Sequence, residues 1–377
     1  MPRAALIYSE VLAKFDYGDD HPFKPVRARN TMEMCNRHGL LYGLDVTRPE
    51  PFSADLKDLE LFHTKKYIDT LQRANSCEHD IEMLAAGIGT PDCPILPGIF
   101  DFSLRVVGAT LLATQLVQEG KTDRAFNLIG GLHHAAVDHA EGFCYVNDVG
   151  IAISSLLEKG KKVAFIDIDA HHCNGVQDKF LYSPDALIIS LHEMSDGFYP
   201  GTGRSNEIGC EAGKGYTVNV PLAPKTDDEA YVDTFKKVVP PLIEAFNPDI
   251  VIAEIGADTV ISDPLTHLRL TSNGYEEVVK MICEFSPKLV AVGGGGYDVY
   301  RTSNCWTLAF GVMADIEPED EYAGLVGGMM YGGEVGGLRD MKIQTKGEDK
   351  DLVWRQARKA VEYIEQTIFP IHGIKNP

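Results

Sequence analysis

A chain of 377 residues that is 44% hydrophobic and 24% charged, with 36 Gly and 20 Pro, has the make-up of a globular protein with a sizeable core, which excludes disorder and collagen-like architectures. Thirty-five Lys and Arg against 55 Asp and Glu leave a formal net charge of -20, so the summed field repels nucleic acid and anionic membrane, and neither is an expected partner. The eight cysteines include no C-x-x-C pair and read as reduced thiols. The opening residues, Arg3 to Lys14, lack the apolar core of a signal peptide. No apolar run reaches the roughly 18 residues of a membrane helix, because Asp101 and Arg105 interrupt the best candidate. A cytoplasmic protein is expected, with oligomeric state left open.

In chain order, residues 4–8 form an apolar run expected as a strand, 102–118 a helical pattern, and 125–129 a second strand. A helix over 149–159 precedes strands at 163–168, 186–191 and 216–220; a helix over 230–246 then leads to a strand at 250–253, and a helix over 275–285 to one at 289–292. A polar stretch over 332–351 precedes a terminal helix carried by Val353, Ala357, Ala360, Val361 and Ile364. Short apolar runs alternating with helices predict βαβ units and a mostly parallel sheet covered on both faces. The expected fold is therefore α/β, a three-layer αβα sandwich in a single domain over 1–377, with the chemistry at the carboxyl ends of the strands.

The polar residues gather at those ends. In Phe165-Ile-Asp-Ile-Asp-Ala-His-His172, Asp167, Asp169 and His171 follow a strand at period 2, so in extended chain they share one face. Two carboxylates and an imidazole with no basic neighbour would repel unless a cation lay between them; helix capping is the plainer alternative. Gly130-Gly-Leu-His-His134 ends another strand with a His pair suited to proton transfer, although such a pair can equally be structural. Glu254-Ile-Gly-Ala-Asp258 closes a third, where a lone Asp is more often a turn residue. Val292-Gly-Gly-Gly-Gly-Tyr297 is not a dinucleotide fingerprint; its glycines allow close approach to a crowded centre and present a tyrosine hydroxyl. Together the strand ends offer N/O ligands for Zn²⁺, or for Fe²⁺ or Mn²⁺, with an open position for water.

At these positions the chain resembles the histone deacetylase family, in particular its class I branch and the bacterial acetoin-utilisation deacetylases, within the arginase/deacetylase fold. The resemblance runs from about Tyr17 to Tyr300. It also takes in His21-Pro-Phe-Lys-Pro-Val-Arg-Ala-Arg29, Asp92-Cys-Pro94 with Gly98-Ile-Phe-Asp101, Gly142-Phe-Cys-Tyr-Val-Asn-Asp148, Tyr199-Pro-Gly-Thr-Gly203 and Asp263-Pro264. It implies hydrolysis of the amide of N-ε-acetyl- or acyl-lysine in a protein or peptide by water on a metal held by Asp169, His171 and Asp258. His134 would be general base and then acid, His133 an electrostatic support, and Tyr297 the donor to the substrate carbonyl. Asp167 would orient His133 and, with Ser190 and the backbone carbonyls of Asp169, His171 and Leu191, bind potassium. Gly142, Phe143 and Tyr199 would line the acyl-lysine tunnel, Asp92 would sit at its rim, and Arg27 beside an internal cavity below the metal.

One position departs from the class I pattern: Cys173-Asn174 stands where Gly-Asp is usual, so His134 would pair with an amide, as in the class II branch. A two-metal ureohydrolase of the same fold is disfavoured because its further Asp ligands would fall on Cys173 and Val260. Polyamine-selective relatives carry an acidic gatekeeper where this chain has Leu265, which favours a peptide-lysine substrate. A non-catalytic binder would be expected to lack a ligand or the tyrosine.

Overall fold

Apolar runs without polar alternation belong in a sheet covered on both faces, and they lie there in the computed structural model, which describes residues 2–76, 80–319 and 337–375. Eight strands form one sheet: β1 (Ala4–Ile7), β2 (Val46–Thr47), β3 (Arg124–Asn127), β4 (Val163–Asp167), β5 (Ala186–Glu193), β6 (Thr217–Leu222), β7 (Ile250–Glu254) and β8 (Leu289–Val292). Their spatial order is β2-β1-β3-β8-β7-β4-β5-β6, and all neighbours are parallel. Each of the seven apolar runs became a strand. The two-residue edge strand β2 was not anticipated, being too short to show a period.

Short helices α1 (Glu10–Ala13), α3 (Leu56–Glu60) and α5 (Ile81–Ala85) lie among longer ones: α2 (Val26–Arg37), α4 (Lys65–Ala74), α6 (Ile99–Gln118) and α7 (Asp148–Leu157). Then follow α8 (Asn174–Phe180), α9 (Asp228–Phe246), α10 (Ser272–Phe285), α11 (Val299–Ala314) and α12 (Gly347–Thr367). Helices α2, α11, α10, α9 and α12 pack in succession as one layer; α3, α4, α6, α7 and α8 form the other. The expected three-layer αβα arrangement is the observed one.

Capping explains why helices start earlier than their apolar pattern. Asp227 accepts from Ala230 N–H at the head of α9, and Thr271 accepts from Asn273 N–H at the head of α10. The polar end of the 332–351 stretch is the first turn of α12, where Glu348 and Asp349 suit the positive end of the helix dipole; residues 332–336 lie outside the described residues. Helix α6 includes both Asp101 and Arg105. By length and composition it could cross a membrane, but its apolar side chains, including Phe102, Val106 and Val107, are buried in the core. Helix α11 is buried nearly all round and so carries no polar stripe to reveal it in the sequence.

Candidate metal centre

The four central strands, β3, β8, β7 and β4, deliver the polar residues singled out above. Strand β4 ends at Asp167, and the chain then makes two successive turns in which each carboxylate accepts from the N–H two residues on. Asp169 N–H donates to Asp167 Oδ1 (3.0 Å), and His171 N–H to Asp169 Oδ1 (2.9 Å). The expectation that Asp167, Asp169 and His171 share one face is therefore corrected. The strand stops too soon for it, Asp167 turns to Ser190, and Asp169 and His171 meet Asp258 from the exit of β7.

His171 Nδ1 lies 3.1 Å from Asp169 Oδ1 and 2.9 Å from Asp258 Oδ2, while Asp258 Oδ1 accepts from Ala170 N–H at 2.8 Å. Asp258 thus clips the exits of β7 and β4 together rather than merely capping a turn. All three side chains are buried, and one donor atom from each lies within 4.8 Å of the others. Glycines back the centre: a Cβ on Gly256 would come within 2.2 Å of Asp169 Oδ2, and one on Gly295 within 2.2 Å of Asp258 Oδ2. Burial, then the neighbouring Asp169, push the Asp258 carboxyl up to about 8. His171, against the effect of burial, is raised to about 10 by hydrogen bonds to Asp169 and Asp258. This crowd of donors holds a proton that a cation would displace, and its N/O composition fits a divalent ion such as zinc.

The His pair stands beside this centre. His133 Nε2 and His134 Nε2 are 3.1 Å apart, and His134 Nδ1 is 2.7 Å from Asn174 Oδ1. Asp167, expected to orient His133, is 3.7 Å from its Nδ1; Glu254 Oε1 is nearer, at 2.9 Å. That approach is not an aligned hydrogen bond, and burial pushes the Glu254 carboxyl up to about 8. Asp167 instead accepts from Ser190 Oγ at 2.7 Å, the β4/β5 register setting the two side by side, with Leu191 next on β5. Burial alone would lower His133, but Glu254 and then Asp167 raise it well above its ordinary value. His134 is held well below its ordinary value by burial and by the charge on His133.

Glu254 was not assigned a role in the sequence, although its place as the last residue of β7 matches that of Asp167 on β4. Glu254→Gln is expected to lower kcat about tenfold, in the range for outer-shell groups, and to leave His133 neutral at pH 7, which ring ¹⁵N shifts would read. A cationic His133 in that variant would show Asp167 to suffice.

A cleft of about 400 Å³ leads to His134 and His171. Its walls include Phe143, Phe198, Tyr199 and Tyr297; Leu265, 36% exposed, and Asp92 stand at its mouth. Phe198, next to the expected wall residue Tyr199 but without a motif of its own, stacks on His171 at 5.0 Å between ring centres. Gly142 must be glycine, since a Cβ there would meet His134 Cδ2 at 2.5 Å. Phe143 holds φ 68°, a strained conformation for an aromatic residue, at the point where it projects into the cleft. Asp263 ties two cleft loops by accepting from Leu265 N–H (2.9 Å) and Tyr297 N–H (2.8 Å). Size does not select this site: a groove of about 700 Å³ between the 194–206 segment and α12 is larger but holds none of the buried His and Asp groups.

Arg27 is buried between the rings of Phe23 and Trp306 and donates to the carbonyls of Gly294 and Gly296. It braces the glycine loop. The small cavity beside Asp169 is lined by Phe23, His133 and Gly295 rather than by Arg27. Cys144 and Cys173 are buried, and burial pushes both thiols up, consistent with packing rather than redox chemistry.

Residues 21–313 match the histone deacetylase domain. The chain is 36% identical over 323 residues to histone deacetylase B of Dictyostelium discoideum, covering 85% of this chain and 75% of that protein. It is 38% identical over 285 residues to histone deacetylase 8 of Xenopus tropicalis, covering 75% and 76%. Among solved structures, a histone deacetylase homologue from Aquifex aeolicus matches with a TM-score of 0.84 and 28% identity, covering 95% of this chain and 100% of that one. Since the matched segment carries the buried centre, the His pair and the cleft, the chain belongs to the histone deacetylase family, whose members are metal-dependent deacetylases.

Proposed function

We propose that this chain hydrolyses the amide of N-ε-acetyl-lysine, or of longer acyl-lysines, in proteins. The observation that carries the reading is the aromatic cleft that ends on His134 and His171 while keeping an apolar Leu265 and an acidic Asp92 at its mouth. Such walls suit the methylene stem of a neutral acyl-lysine, and the rim carboxylate suits the backbone N–H groups of a peptide.

Asp169, His171 and Asp258 would hold the divalent ion: Zn²⁺ by donor set, with Fe²⁺ or Mn²⁺ as alternatives. When bound, it supplies Lewis acidity and brings the pKa of water into the neutral range. His134 donates Nδ1–H to Asn174 Oδ1, which puts its lone pair on Nε2; that nitrogen accepts from His133 Nε2–H at 3.1 Å here, and with water and substrate in place it would exchange this contact to take a proton from the attacking water and return it to the leaving amine. His133, its proton favoured by Glu254 and Asp167 together, sits 3.1 Å away and opposes the negative charge that builds in the transition state. Tyr297, its backbone held by Asp263, donates its hydroxyl to the substrate carbonyl oxygen. A structural potassium ion at Asp167, Ser190 and the carbonyls of Asp169, His171 and Leu191 would offset the buried Asp167 charge next to the centre.

The test is turnover of the metal-loaded protein on acyl-lysine peptides and acetylpolyamines. Tyr297→Phe is expected to lower kcat on acetyl-lysine roughly 10²–10³-fold, the usual loss when one oxyanion donor is removed. Activity on polyamines alone would overturn the substrate assignment.

A further inference from the structure

We infer that Glu141 is a positioning residue that sets the tautomer of His134 by dictating which way the Asn174 amide faces. The inference deepens the reading above, since it takes His134 as the base. An asparagine beside a histidine is ambiguous: turned one way its oxygen accepts Nδ1–H and frees Nε2 as a base, and turned the other its NH₂ meets a bare Nδ1 and leaves the proton on Nε2. Only the first can take a proton from water. A carboxylate in this place would permit no such choice.

Glu141 removes the ambiguity. Its Oε1 lies 3.2 Å from Asn174 Nδ2 and 2.7 Å from the Tyr199 hydroxyl, and its Oε2 3.1 Å from His139 Nε2. An ionised carboxylate only accepts, so the amide must turn its NH₂ outward to Glu141 and its oxygen inward to His134, 2.7 Å away. The contact with His139, and that imidazole's charge, hold Glu141 below its ordinary range despite its partial burial. His139, itself bridged to Asp138 at 3.0 Å, is pushed up to about 9 by Glu141 and remains a donor at neutral pH. The result is a continuous line, Asp138–His139–Glu141–Asn174–His134, from the surface to the base.

The local fold explains why this residue can do it. Glu141 and Cys144 exchange N–H···O bonds (3.1 and 2.9 Å) across a tight turn whose central residues, Gly142 and Phe143, both have positive φ, 54° and 68°. One turn therefore aims Phe143 into the cleft and sets Glu141 under Asn174.

The test combines two substitutions. Glu141→Ala frees the amide, and kcat is expected to fall about tenfold, short of the roughly 10⁴-fold that a wholly wrong tautomer costs in a serine-protease triad. Asn174→Asp in that background restores an acceptor that cannot flip and is expected to bring kcat to within about threefold of wild type. Alone, Asn174→Asp sets a second carboxylate 3.2 Å from Glu141, where like-charge repulsion is expected to raise the acidic limb of the pH-rate profile. Tyr199→Phe measures what loss of the tyrosine contact contributes to KM. Ring ¹⁵N shifts of His134, assigned with His134→Gln, read the tautomer directly: Nδ1–H in wild type and in the double variant, mixed in Glu141→Ala. A double variant no faster than Glu141→Ala, or a Glu141→Ala protein still wholly Nδ1–H, would overturn the role of Glu141. Should wild type turn over no acyl-lysine, the function fails while the ¹⁵N spectra still decide the tautomer question.

Discussion

Asp258→Ala is expected to empty the metal centre and abolish turnover. Asp258 is wholly buried and supplies one of the three clustered donor atoms, so its loss leaves Asp169 and His171 two residues apart on a single turn. The loss should exceed the roughly 10–100-fold seen when outer-shell groups are removed. Elemental analysis of the dialysed protein reads the metal directly, and melting reads it independently. A ligand that binds only the native state raises stability with its occupancy, so chelation should lower the melting temperature of wild type but not of the variant. The variant should also lose some stability in chelator, because Ala170 N–H loses its acceptor at 2.8 Å. Full metal content in Asp258→Ala would remove this residue from the ligand set.

His134→Gln is expected to lower kcat about 10²–10⁴-fold, the usual contribution of a positioned general base, with KM for acetyl-lysine peptides nearly unchanged. Glutamine has no basic nitrogen, whereas Asp169, His171 and Asp258 remain, so metal content should match wild type. That pairing separates proton transfer from metal loading. A comparable fall in His133→Gln alone, with His134→Gln still active, would exchange the two roles.

The sequence shows the sheet well and the contacts across it less well. Every strand of four or more residues announced itself as an apolar run, because burial on both faces removes the need for polar alternation. Asp169, His171, Asp258, His134 and Tyr297 could be placed at strand exits for the same reason. What could not be read is which exits are neighbours. Strands β7 and β4 pair although the chain between them visits β5 and β6 first, and that crossover brings Glu254, rather than Asp167, within 2.9 Å of His133. Glu141 was hidden in another way: its two oxygens meet residues 139, 174 and 199 only through a turn with two positive φ values, the second on Phe143, a residue type that gives no sign of it. Helix α11 escaped because a buried helix has no contrasting faces.

The strand order also governs when the centre can come into being. Asp169, His171 and Asp258 all precede β8 in the chain, yet β8 is the strand on which β3 and β7 both pair, with Leu289 beside Arg124 on one side and Val251 on the other. Its exit loop supplies the Gly295 N–H that donates to Asp169 Oδ2. A chain halted short of β8 has every ligand and can already pair β7 with β4, but it lacks the Gly295 N–H on Asp169 and leaves β3 and β7 without the strand that joins them. Metal uptake is thus coupled first to the pairing of β7 with β4, and the docking of β8 then closes the glycine loop over the ligands.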